Sequence, residues 1–144
     1  MRDATRADFP HFLTIATRWA DNDAYRHVNN VVYYSWFDTA VNEFLIRRGM
    51  LDIDGDEAVG LVVDTGCSYF SSVTFPDVVH VGLRVAKLGN SSVRYELAVF
   101  RNDEEKPAAA GHFVHVYVDR ASNRPVPVPQ RVRAVLAEVT GSAQ

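Results

Sequence analysis

An α+β fold, with a curved antiparallel sheet wrapped around one long helix, is what this sequence predicts, and three observations predict it. Helical periodicity is strong in one segment, Asn30–Arg48. Period-two alternation of apolar and polar residues recurs before that segment and, mostly, after it. The helix has one strongly apolar face, and no second helix of comparable length follows to cover it, so a sheet must.

The first strand is expected over Phe12–Ala20, where Leu13, Ile15, Thr17 and Trp19 alternate with Thr14, Ala16 and Arg18. A polar stretch, Asp21–His27, leads into the helix. There Phe37, Ala40, Val41, Phe44 and Leu45 fall at i, i+3, i+4, i+7 and i+8 and share a face. Asn29 suits the N-cap, because its side-chain oxygen can accept a free N–H of the first turn. Arg47 and Arg48 suit the negative C-terminal end, and Gly49 can take the left-handed terminating conformation. Leu51–Glu57 reads as an acidic, glycine-containing loop. Val59–Val73 reads as a long strand in which Gly66 marks a bulge or bend. Phe75-Pro76-Asp77 is a turn. Val79, Val81, Leu83 and Val85 form the inner side of the next strand, Leu88–Asn90 turns the chain, and Val93, Tyr95, Leu97 and Val99 form the following inner side. Asn102–Pro107 is a charged hairpin loop, Ala108–Asp119 the last strand, Arg124–Pro129 a proline-rich exit and Gln130–Val139 a short terminal helix. Beyond the long helix, then, four meandering strands are expected.

The chain has 144 residues, close to the usual domain size of about 100–150, which predicts one domain over residues 1–144. With 47% hydrophobic and 23% charged residues, its composition is that of an ordinary globular protein. The net charge of -3 lacks the basic excess of a nucleic-acid binder, so no nucleic-acid partner is expected. Local arginines and lysines still leave a phosphorylated small molecule open. No apolar run approaches the ~18 residues of a membrane span, and the N-terminus lacks the apolar segment of a secretory signal. The single cysteine, Cys67, cannot form an internal disulfide. Together these predict a cytoplasmic location. There is no phosphate-cradling loop, dinucleotide glycine fingerprint or Gly-x-Ser-x-Gly elbow. His112 and His115, three apart on a strand, point to opposite faces, so neither a metal site nor a cofactor is expected.

The informative segment is Arg18–Tyr34: a strand end, a polar loop, then a helix N-terminus. The first helical N–H groups lack intrahelical partners and carry partial positive charge. They can hydrogen-bond a carbonyl that is becoming an oxyanion. A carboxylate a few residues upstream, Asp23, can lie beside the same carbonyl and either attack it or activate water. The two parts together point to acyl transfer to water, although an aspartate before a helix is, taken alone, more often a cap or loop residue. His27 either orients Asp23 or a water, or braces the loop. Asn29 reads as a cap before it reads as a catalyst. Asp21 is expected to be solvent-exposed, and Asp38 and Glu43 to be solvated or at an interface. Tyr33, Tyr34 and Trp36 read first as core, and Cys67 as a small buried hydrophobe.

The run Asp23-Ala24-Tyr25-Arg26-His27-Val28-Asn29-Asn30, followed by Tyr33, resembles the D-x-x-x-H-V-N-N-x-x-Y signature of 4-hydroxybenzoyl-CoA-thioesterase-like hotdog proteins. It is most similar to bacterial acyl-CoA thioesterases and plant acyl-ACP thioesterases. The helix, the long strand with an aromatic at Tyr69, the Pro76-Asp77 turn and the Leu88–Ser92 turn follow in family-like order. The resemblance implies the hotdog fold and hydrolysis of an acyl-CoA thioester to a free acid and CoA, with CoA as substrate and leaving group. It implies Asp23 as nucleophile or general base, backbone N–H groups near Asn30 and Val31 as the oxyanion site, and His27 beside them. It makes Tyr25, Asn29, Tyr33, Lys87, Ser91 and Ser92 candidates for substrate contact, with Arg94 next to them. It also implies a homodimer or homotetramer with active sites at the dimer interface. Two departures separate this chain from the plant enzymes: Tyr25 stands where they carry asparagine, and Asp64 and Cys67 are apart where they carry adjacent acid and cysteine residues. The simpler bacterial scheme of one aspartate and a helix terminus fits better. An acyl-ACP substrate and a non-catalytic acyl-CoA-binding role are the competing readings.

Overall fold

The apolar face read from the sequence becomes α1 (Asn30–Arg47), which buries Tyr33, Trp36, Phe37, Ala40, Val41, Phe44 and Leu45. Its ends form where local chemistry places them. Asn29 Oδ1 accepts the Val31 N–H at 3.0 Å. At the other end Gly49, at φ 69°, lets the Gly49 and Met50 N–H groups turn back onto the carbonyls of Ile46 and Leu45. The computed structural model describes residues 1–51 and 55–140. Part of the loop expected over Leu51–Glu57, residues 52–54, lies outside the described residues, as do 141–144.

Five strands wrap this helix: β1 (His11–Ala16), β2 (Ala58–Tyr69), β3 (Val78–Leu88), β4 (Ser92–Arg101) and β5 (Ala109–Asp119). All pairings are antiparallel, in the order β1-β3-β4-β5-β2. The expected meander holds for β3–β5 only, because β2 crosses to the far edge and pairs with β5. The alternation expected on β3 and β4 holds: Val79, Val81, Leu83, Val85, Val93, Tyr95, Leu97 and Val99 all pack in the cluster under α1. A short second helix, α2 (Gln130–Leu136), adds Val132 and Leu136 to that cluster and runs on as a 3-10 turn over Ala137–Val139. Ala98 and Phe100, which alternate with the inner residues of β4, are buried on the other face, where Phe9 from the N-terminal segment folds over the sheet. No helix among the described residues is long and apolar enough to cross a membrane.

Two strands are shorter than expected. β1 ends at Ala16 because the Thr17 N–H and hydroxyl both turn to the Asp77 carbonyl. The next residues, Trp19–Asp21, form a 3-10 turn held by Asp21, whose carboxylate accepts the Arg18 N–H at 2.7 Å and the Arg18 guanidinium at 2.8 and 3.0 Å. Asp21 is therefore 2% exposed, not solvated as expected. β2 ends at Tyr69, where the Phe70 and Ser71 N–H groups fold back onto the Ala108 carbonyl. Its bulge falls between Val62 and Asp64, not at Gly66. Gly66 has another use: a Cβ there would lie 2.8 Å from His112 Cε1. Without one, the His112 ring crosses β2 and its Nε2 comes 3.1 Å from Asp64 Oδ2. His115 lies on the opposite face, 4% exposed and packed against the Tyr95 and Phe113 rings of the cluster under α1, as the spacing predicts.

Candidate active site

The loop between Asn22 and Asn29 is a small pinched hairpin. Asn22 and Val28 form an isolated bridge, the Asp23 N–H donates to the His27 carbonyl at 2.9 Å, and the Arg26 N–H donates to the Asp23 carbonyl at 3.0 Å. Closing so tight a turn puts Arg26 in the left-handed region at φ 66°. The loop is then stitched to the segment after β2. Val28 N–H donates to the Val73 carbonyl at 2.7 Å, the Thr74 hydroxyl donates to the Arg26 carbonyl at 2.6 Å, and the Phe75 N–H donates to Asn22 Oδ1 at 3.1 Å. On the other side, the Asn29 N–H donates to the Asp21 carbonyl at 2.9 Å, tying the helix entry to the buried Asp21 turn.

This framework fixes the Asp23 carboxylate. Its Oδ1 accepts the Tyr25 N–H at 2.8 Å, an Asx-turn that orients the side chain from its own backbone. Asp23 lines an open cavity of about 240 Å³ together with His27, Val28, Asn30, Tyr33, Tyr69, Ser71 and Ser72. Asn30 is the first residue of α1, where the helix supplies no acceptor for its N–H. Carboxylate and helix terminus therefore share one opening, and the terminus offers positive partial charge to an oxygen held there. Tyr33 and Tyr69 stand edge-to-face, with centroids 5.0 Å apart. Burial pushes the Tyr33 phenol up to about 12. Burial, then the neighbouring Cys67 thiol, pushes Tyr69 up as well, so both phenols keep their protons at neutral pH. Burial also raises the Cys67 thiol. Among the described residues no group of three or more His, Cys, Asp or Glu side chains converges as a metal site would require.

Of the residues expected at the site, the structure brings Asp23, His27, Asn30 and Tyr33 to one cavity. The Val31 N–H is at the same terminus but donates to its cap, Asn29. Tyr25 contributes its backbone, while its side chain stands in solvent at 82% exposure. Lys87, Ser91 and Ser92 lie at the other end of β3, around the β3–β4 turn, away from this cavity. Arg94 lines a separate hollow on the outer sheet face with Arg2, Ser68, Phe70 and His112. Sequence reasoning missed Ser71, Ser72 and the Tyr69 hydroxyl. The first two carried a signal, as a polar pair between Phe70 and Val73 inside a run read as strand.

The sequence pattern of the thioesterase-like superfamily matches residues 17–136, from the end of β1 to the end of α2. This chain belongs to that superfamily. Among solved structures it is similar to the PA5185 protein of Pseudomonas aeruginosa strain PAO1, with 57% identity and a TM-score of 0.93 over 98% of this chain and 99% of that one. It is also similar to the PA2801 protein of Pseudomonas aeruginosa, a candidate thioesterase, at 31% identity and TM-score 0.82 over 89% and 98% of the two chains. The 1,4-dihydroxy-2-naphthoyl-CoA thioesterase Slr0204 from Synechocystis shares the fold, with TM-score 0.81 at 14% identity over 88% and 94%. The sheet curved around α1 is thus the hotdog fold of the thioesterase-like superfamily, and the Asp23 loop lies inside the matched span.

Proposed function

We propose that this protein hydrolyses acyl-CoA thioesters to a free carboxylic acid and CoA. The observation that carries the reading is the shared cavity: Asp23 and Asn30, the first residue of α1, line one opening. In the general-base route Asp23 takes a proton from water as the water oxygen bonds to the thioester carbon. The carbonyl oxygen becomes an oxyanion against the Asn30 N–H and, once the Asn29 side chain swings away from it, the Val31 N–H. Collapse re-forms the carbonyl and breaks the C–S bond, and the CoA thiolate leaves and is protonated. In the nucleophilic route the Asp23 oxygen bonds to the carbon first, CoA leaves, and water cleaves the resulting anhydride. Hydrolysis in ¹⁸O-labelled water separates them: only the nucleophilic route carries label into Asp23.

The protein acts as a homodimer joined along β2, which leaves a sheet edge with Leu61, Val62 and Val63 all exposed, Val63 to 59%. Such an edge invites pairing with another chain. Antiparallel pairing of two β2 edges sets the Ala58 end of one beside the Tyr69 end of the other. The β3–β4 turn of each chain lies on the Ala58 side, because Ser92 pairs with Val116 near the end of β5 that pairs with Ala58. A second copy thereby brings its Lys87–Ser92 turn toward the cavity, where it meets the CoA arm.

Thiol release from short, long and aromatic acyl-CoAs tests the reading, wild type against Asp23→Asn. Turnover on one class, falling by about a hundredfold or more in the variant, is expected. Equal rates in the two proteins would overturn the role of Asp23. Binding without turnover on every member would point to an acyl-carrier substrate or to a ligand-binding protein.

A further inference from the structure

The Tyr69 phenol, where β2 ends against α1, donates a hydrogen bond to the Asn30 carbonyl at 2.9 Å. Its ring stands at 88° to the buried Tyr33 ring, which fixes its approach. The Asn30 carbonyl belongs to the same peptide group as the Val31 N–H. A donor on the oxygen of a peptide draws electron density through the conjugated C–N bond and makes the N–H on its other side a stronger donor. The helix pattern also aims the Tyr34 N–H at this carbonyl. Two donors therefore bear on the Asn30–Val31 peptide, whose N–H stands next to that of Asn30 at the terminus and is held by the Asn29 cap.

Resting on the thioesterase reading, we propose that Tyr69 is a positioning residue for the hydrolysis. Its hydroxyl anchors the first turn of α1 to β2 and polarises the Asn30–Val31 peptide, so that once the Asn29 side chain gives way to the developing oxyanion, the Val31 N–H it meets is a strengthened donor. Tyr69 lines the cavity, but its hydroxyl proton is given to the Asn30 carbonyl, so it acts through that peptide. Because β2 is also the edge through which two copies would join, the same bond ties the oxyanion site to the joint.

Tyr69→Phe removes the hydroxyl and keeps the ring against Tyr33. The expected result is a kcat lower by about tenfold with KM changed by less than about twofold. The melting temperature should fall by no more than about 3–5 °C, the cost of one lost hydrogen bond. In ¹H–¹⁵N spectra the Val31 amide proton should move upfield, the mark of a weaker donor. An unmoved Val31 resonance in an active enzyme overturns the inference and leaves the thioesterase reading standing. So does a loss that appears in KM alone or that comes with a fall in melting temperature of more than about 5 °C. A wild type that hydrolyses no thioester overturns both, and would reduce the Tyr69–Asn30 bond to a structural contact.

Discussion

Replacing Asn29 by alanine separates two roles that the same residue could have, helix cap or catalyst. Asn29 Oδ1 accepts the Val31 N–H at 3.0 Å, the only side-chain cap at the entry to α1 among the described residues. Losing a cap of this kind costs about 1 kcal/mol, within a range of roughly 0.5–2. Unfolding entropy of about 2.1 cal/mol/K per residue, over 144 residues, gives about 0.3 kcal/mol/K, so the melting temperature should fall by about 3 °C. Asn29→Asp keeps the acceptor and adds a negative charge at a positive helix end, so it should melt close to wild type. Far-UV circular dichroism during heating measures both, at one protomer concentration, because assembly makes the midpoint concentration-dependent. The Asp23 carboxylate and the Asn30 N–H are untouched in either variant, so kcat should change by less than about tenfold. A normal melting temperature with a hundredfold loss of kcat in Asn29→Ala would refute the cap reasoning and make Asn29 a group that acts on the substrate.

Val63→Lys should separate the proposed dimer. A lysine on an exposed edge strand opposes pairing, so light scattering should show half the wild-type mass, and kcat/KM should fall as the second copy's turn is lost. A wild-type monomer, or a variant of unchanged mass, would sink the β2 joint. His115 should make stability pH-dependent. Burial holds its imidazole below the ordinary value, Asp38 offsetting this only in part, and His115 is 4% exposed. The unfolded chain takes up this proton below about pH 6.5, where the folded protein does not. The contribution to stability is thus complete above about pH 6.5 and is lost as the pH falls from there toward the lower folded-state value. The urea midpoint should drop more steeply between about pH 7.5 and 5.5 in wild type than in His115→Leu. Some slope should persist in the variant, because His80 is also held below its ordinary value, by burial and by Arg6. Parallel slopes would show that His115 does not supply the dependence.

What the sequence disclosed about the fold follows from how local each determinant is. The face of α1 repeats every three to four residues and its caps lie within two residues of its ends, so its limits could be read directly. The inner positions of β3 and β4 alternate strictly and were equally legible. The end of β1 was not, because Thr17 leaves the strand for the carbonyl of Asp77, 60 residues away. Nor was the place of β2 in the sheet, since periodicity specifies a strand but not its neighbour. The burial of Ala98 and Phe100 depends on Phe9, nearly ninety residues earlier, folding over them. Asp21 is a different case. Its partner Arg18 is three residues upstream, a local pairing that forms a capped turn, so the turn could have been read from spacing, although Arg18 itself stays largely exposed.

The site shows why its motif is recognisable before its chemistry is. Nearly every residue of Asp23–Asn30 has a backbone task in the structure. Asp23 closes an Asx-turn, Arg26 takes the left-handed conformation, Val28 pairs with Asn22 and enters the core, and Asn29 caps the helix. Turn chemistry of this kind constrains the sequence strongly, whatever the loop is used for. The groups suited to the reaction are one carboxylate and the N–H groups of the first turn, and an N–H belongs to any residue but proline. The run therefore reveals a shape directly and a reaction only through what the shape places together. Tyr69 marks the limit of that reading. Its hydroxyl reaches the same turn from 39 residues away, and the spacing of the motif holds no trace of it. If the terminus of α1 is the oxyanion site, the direction of its donors is set jointly by a local cap, Asn29, and by a distant brace, Tyr69. Only the first can be read without the fold.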